Sequence, residues 1–92
     1  MSRWDLLSPE LKVSVGIFRL KEQGRVPYFS SLKDELKMDS ETLHGALDRL
    51  IDIGAIDANW EKTDGKWVRE FYLKNPNEEF IRKLDENLED EC

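Results

Sequence analysis

The sequence predicts an α+β fold, mainly α with a β-hairpin: a three-helix core, then the hairpin, then a C-terminal helix. Three observations carry that prediction. Apolar residues recur at helical spacing in separate segments between residues 9 and 53. An Asp-Gly pair at 64–65 lies between two runs suited to strands. A narrow apolar stripe then returns in "EEFIRKLDENLEDEC".

The first helix is expected over 9–23. Ser8 suits the N-cap, and Pro9 suits the first helical position, where its missing N–H does no harm. Leu11, Val15 and Phe18 share a face with Ile17 beside them, and Gly24 is the expected stop. "RVPYF" follows, short, apolar and interrupted by Pro27; it suits a brief edge strand or an extended linker. Ser30 or Ser31 is the expected cap of a second helix of about two turns, Ser31 with Asp34 fitting the capping-box spacing. Leu32 and Leu36 share its inner face. "KMD" makes a tight turn, and Asp39 caps a third helix running to Ile53. At about 100° per residue, Leu43, Ala46, Leu47, Leu50, Ile51 and Ile53 fall on one side of it. Glu41, His44, Gly45, Asp48, Arg49 and Asp52 fall on the other, with Thr42 at the border, and Gly54 ends the helix.

Centring the hairpin turn on Asp64-Gly65 fixes its register. Ile56 then faces Leu73, Ala58 faces Phe71, Trp60 faces Arg69 and Lys62 faces Trp67. The apolar pairs sit at the open end and the aromatic-cation pairs toward the tip. In the terminal helix Phe80, Ile81, Leu84 and Leu88 form the stripe. It can lie across Trp4, Leu6 and Leu7 of the same chain or meet a second copy.

Composition narrows the function. Ninety-two residues suit one domain with a modest core. No apolar run approaches the ~20 residues of a membrane span, and "MSRWDLLSPE" lacks the apolar stretch of a signal peptide, so the cytoplasm is the expected compartment. Cys92 is a single, terminal thiol, and His44 is a lone imidazole; neither suggests a nucleophile or a metal site. There is no Gly-rich phosphate loop and no catalytic order of Ser, His and Asp. No enzyme, cofactor or metal is expected. The net charge is −6, but residues 1–75 hold 13 acidic and 12 basic side chains, net −1, whereas residues 76–92 hold seven and two, net −5. The acidity belongs to the tail.

The stretch "ETLHGALDRLIDIGAIDANWEKTDGKWVREFYL" resembles the core of PadR-type winged helix-turn-helix regulators, and more broadly those of the MarR and ArsR-like groups. The resemblance lies in Thr42, Leu43, Ala46, Leu47, Arg49, Leu50, Gly54, Ile56, Trp60 and Tyr72. His44 and Gly45 stand where PadR proteins tend to carry tyrosine and proline, and the His-Gly-Tyr stretch of their N-terminal half is missing. The resemblance implies a DNA-binding transcription factor, usually dimeric through terminal helices. Residues 1–75 would form the winged domain, and residues 76–92 an acidic helix with Phe80, Ile81, Leu84 and Leu88 as a candidate dimer face.

On that reading the third helix enters the major groove, about 12 Å wide. Ser40, Thr42, His44, Gly45 and Arg49 are the candidate contacts there, joined by Lys62, Lys66 and Arg69 on the wing. Glu41 and Asp48 oppose it, since among base edges they accept only from cytosine N4. Residues 30–53 carry six acids against three bases, net −3, which is poor for phosphate. Gly45 costs a helix about 1 kcal/mol against alanine, so its outward placement suggests close approach of a backbone, or simple tolerance. Double-stranded DNA is therefore the first expected partner. The alternative is a protein-interaction module whose acidic faces meet a basic partner.

Overall fold

A computed structural model describes residues 3–89. The elements are α1 (Arg3–Leu6), α2 (Pro9–Glu22), α3 (Phe29–Leu36), α4 (Ser40–Asp52), β1 (Ile56–Thr63), β2 (Lys66–Leu73) and α5 (Asn77–Glu89). The architecture is that of a winged helix: α2, α3 and α4 form the core, the β1–β2 hairpin is the wing, and α5 closes the back.

Local chemistry explains most boundaries. Ser8 Oγ accepts from the Leu11 N–H at 3.2 Å, and Pro9 opens α2. The far end closes in a Schellman motif: the N–H of Gly24 reaches Lys21 O and that of Arg25 reaches Leu20 O, with Gly24 at φ +74°. Helix α4 ends the same way, Gly54 donating to Ile51 O and Ala55 to Leu50 O. Ile53 is the C-cap residue and is 75% exposed, so it leaves the apolar face expected to hold it. The capping geometry turns the chain before the helical period can bring that side chain inward.

Helix α3 corrects a second expectation. Neither Ser30 nor Ser31 caps it; both lie inside the helix, and Tyr28 is the N-cap with no side-chain bond. The reason is sheet pairing. Pro27 O accepts from the Phe71 N–H at 3.0 Å, and Tyr28 bridges Glu70 in antiparallel fashion. "RVPYF" is thus a one-bridge edge strand that hands the chain directly into α3. Helix α1 is a further turn that the sequence reading did not foresee.

The hairpin has the expected register, from Ile56↔Leu73 to Thr63↔Lys66. Asp64 and Gly65 both take positive φ, 52° and 78°, as a type I′ turn requires.

Two apolar clusters share α2. In one, Val13, Ile17 and Leu20 meet Leu32, Leu43, Leu47, Leu50, Ile56 and Phe71. In the other, Val15 and Phe18 meet Ile81 and Leu88, with Trp4, Leu7, Leu11 and Leu84 packed alongside. The α5 stripe is therefore filled by its own chain, and Phe80 stands apart at 57% exposed, as does Leu6 at 71%. Gly16 lets α3 close on α2: a Cβ there would stand 3.0 Å from the Leu36 side chain. The Ser14 hydroxyl, buried in α2, donates to Glu10 O. Among the described residues no helix is long and apolar enough to cross a membrane. Cys92 lies outside them.

Candidate nucleic-acid interface

Helix α4 is set by its cap. Asp39 Oδ2 accepts from the Thr42 N–H at 3.0 Å, and Oδ1 accepts from Thr42 Oγ1 at 2.7 Å. The Thr42 hydroxyl, then its N–H, hold the Asp39 carboxyl below its usual range. Thr42 is half-buried, with its donor engaged by the cap; only its lone pairs face outward. Ser40, Glu41, His44 and Asp48 are exposed.

Arg49 does not reach outward as a free cation. Its Nε donates to Glu10 Oε1 on α2, an ion pair that stitches α4 to α2. Its guanidinium lies over Gly45, with a nitrogen 3.4 Å from the place of a Cβ. The space beside Gly45 is thus partly covered from within the chain, at ordinary contact distance. Glu10 was invisible as a partner in the sequence, because 39 residues separate the pair.

The wing adds the other wall. Lys62, Lys66, Trp60 and Trp67 are exposed, the two indoles at 65% and 64%. Arg69 is half-buried, its guanidinium carbon 5.6 Å from the Trp60 ring centroid and 5.1 Å from that of Phe71. Its Nε is buried and has no hydrogen-bond partner among the described residues. On the opposite face of the hairpin the Tyr28 hydroxyl donates to Glu61 Oε2 at 3.0 Å, which raises the Tyr28 pKa and ties the edge strand to the wing.

Between α4 and the wing lies an open groove of about 360 Å³. His44 and Arg69 both line it, with Phe29, Trp60, Trp67 and Phe71. The His44 ring rests on Phe29, centroids 4.4 Å apart. No lining residue is acidic, in a chain with 20 acidic side chains. Two of the candidate contacts thus meet in one groove. Lys62 and Lys66 stand farther out on the wing, Ser40 and Thr42 open α4, and Gly45 lies under the Arg49 guanidinium, which Glu10 holds. Phe29 was missed: nothing in "RVPYF" marks it. The Arg69–Phe71 contact followed from the register, which places the two residues on one face.

No family model matches the chain, and no curated protein matches it significantly. A solved structure does. The chain is similar to Stf76 from the Sulfolobus islandicus plasmid-virus pSSVx. The TM-score is 0.58 and the identity 28%, over 88% of this chain and 97% of Stf76. The likeness thus spans nearly all of Stf76 and most of this chain. No family model or curated relative supports the narrower resemblance to PadR-type regulators.

Proposed function

We propose that the chain binds double-stranded DNA through α4 and the wing, as a small winged-helix transcriptional regulator. The observation that carries this reading is the acid-free groove, flanked by the exposed N-terminal half of α4 and by Lys62 and Lys66. The acids of α4 do not line it, and Asp39 already takes the first-turn N–H of Thr42, so phosphate contact is left to the wing. The fold shared with Stf76 supports the scaffold on which the reading rests. Anisotropy titration of a labelled duplex at low and moderate salt tests it. Salt-dependent binding, with amide shifts at His44, Lys66 and Arg69, is expected; the absence of both ends the proposal.

The regulator would act as a homodimer, with two α4 helices about one DNA turn apart, ~34 Å. Because Ile81 and Leu88 are buried within the chain, the two-fold contact is expected on the exposed side of α5 around Phe80. Sedimentation of wild type and Phe80→Glu tests this, and identical masses for the two would refute it.

One observation favours a protein-interaction module instead: Glu41, Asp48 and Asp52 are exposed, while Arg49, the cation among them, is paired with Glu10. Stoichiometric capture of a basic protein, without salt-dependent DNA retention, would decide for it.

A further inference from the structure

We infer that the wing face carrying Trp60, Trp67 and Arg69 holds unpaired bases, so that duplex DNA with a single-stranded overhang is bound in preference to blunt duplex. The inference rests on the DNA-binding reading above and names what the groove takes. Trp60 and Trp67 lie on the same face of the hairpin, two positions apart across the strands. Each indole is about two-thirds exposed, beyond the point where the core ends at Phe71. Duplex DNA offers a protein its phosphates and base edges, which an indole can meet with its single N–H donor but not with its ring faces. Base faces become available only where strands are unpaired, and aromatic side chains stack on any of them.

Charge agrees with that occupant. The groove contains no acid and one permanent cation, Arg69, whose buried Nε has no acceptor among the described residues. Lys62 projects from the same face of the wing as Trp67. Stacking surface interleaved with cations is the combination that single-stranded nucleic acid requires. The groove volume of about 360 Å³ falls within the usual range for small-molecule clefts, so a base can enter it. His44 of α4 forms its other wall, so a strand leaving a duplex held at α4 passes directly onto the wing.

The test uses the full chain with Trp4 replaced by Phe, which leaves Trp60 and Trp67 as the emitters. The probes are a blunt duplex, the same duplex with a short overhang, and oligothymidylate. The overhang duplex is expected to quench indole emission and to bind about tenfold tighter than the blunt one, the effect of one stacked base. Trp67→Ala, and the double variant with Trp60→Ala, are expected to erase that preference, so that blunt and overhang duplexes are bound alike. Trp67→Ala alone leaves the Trp60–Arg69–Phe71 stack in place, and far-UV dichroism checks the fold of both. Equal affinity for blunt and overhang duplexes, or a preference that survives both variants, overturns the inference and leaves the duplex-binding reading standing. Loss of binding to all three probes overturns both. Retention of a protein partner by wild type and not by the double variant, without quenching by any oligonucleotide, assigns the face to a protein and likewise overturns the inference.

Discussion

Two regions of the molecule use the same pair of side chains to opposite effect. Behind the core, Arg19 of α2 lies over Trp4, 5.2 Å from its centroid, and its Nε donates to Asp85 Oδ1 of α5 at 2.6 Å. Asp85 is 7% exposed, so the carboxylate is enclosed and the cation is matched. On the wing, Arg69 lies over Trp60 with Phe71 on its other flank, and its Nε finds no acceptor among the described residues. An arginine on an indole is therefore a clamp where a carboxylate completes it. On the wing no carboxylate among the described residues completes it and the indole is bare, which is the arrangement that the proposed nucleic-acid contact would use.

The largest effect that can break this comparison is on stability at Arg19. Arg19→Leu strands the nearly buried Asp85 carboxylate without its partner, and removing one member of a buried pair is costly. Arg19 is itself one-third exposed, so a loss of about 2–4 kcal/mol is expected in denaturant unfolding, with DNA affinity unchanged. A loss below about 1 kcal/mol would mean that water replaces Arg19 and that the clamp is not one.

Arg69→Ala should invert that pattern. Its stacking contributes about 0.5–1 kcal/mol, so unfolding changes little. Duplex affinity should fall and the salt slope should shrink by about one. A large stability loss with unchanged affinity would make the two arginines alike and remove the wing from the interface.

The comparison also marks where the sequence was informative. Period and punctuation lie in the chain itself, so Ser8, Gly24, Asp39, Gly54 and the Asp64-Gly65 turn set α2, α4 and the wing in their observed places. The Asp64-Gly65 turn alone fixes the register that sets Trp60 across from Arg69. What stayed hidden was tertiary. The Pro27–Phe71 bond decided the start of α3 against two serines with the right spacing. Glu10 took Arg49, and Phe29 took His44, from segments with no sequence mark of that role. The α5 stripe was legible as apolar, but an apolar stripe does not say whether its own chain or another covers it.

Gly45 gives a smaller effect that sharpens the contrast on α4. A methyl group there would touch the Arg49 guanidinium at ordinary contact distance, so the folded chain tolerates it. Gly45→Ala should stabilise α4 by about 1 kcal/mol, read as a raised melting temperature. Should DNA backbone approach this position, affinity falls although stability rises. Unchanged affinity would place the approach elsewhere, on the N-terminal turn of α4.

The smallest effect lies at Glu10, where the internal pair competes with the proposed function. Its own backbone N–H, and then Arg49, hold the Glu10 carboxyl below its usual value. A lowered carboxylate pKa stabilises the fold above the unfolded value near 4.5 and loses that contribution as pH falls through the folded value. Both side chains are partly exposed, so Glu10→Gln should cost only about 0.2–1 kcal/mol at neutral pH. The cost should vanish once the solution is acidic enough to protonate Glu10 in the wild type, which unfolding at the two pH values measures. The same substitution removes an anion and releases Arg49 on the outward side of α4. Affinity for duplex DNA should therefore rise by a few-fold while stability falls. If the acidic face of α4 instead receives a basic protein, the freed guanidinium repels it, and affinity for that partner falls. One substitution thus gives opposite signs for the two partners that the charge of α4 leaves in competition.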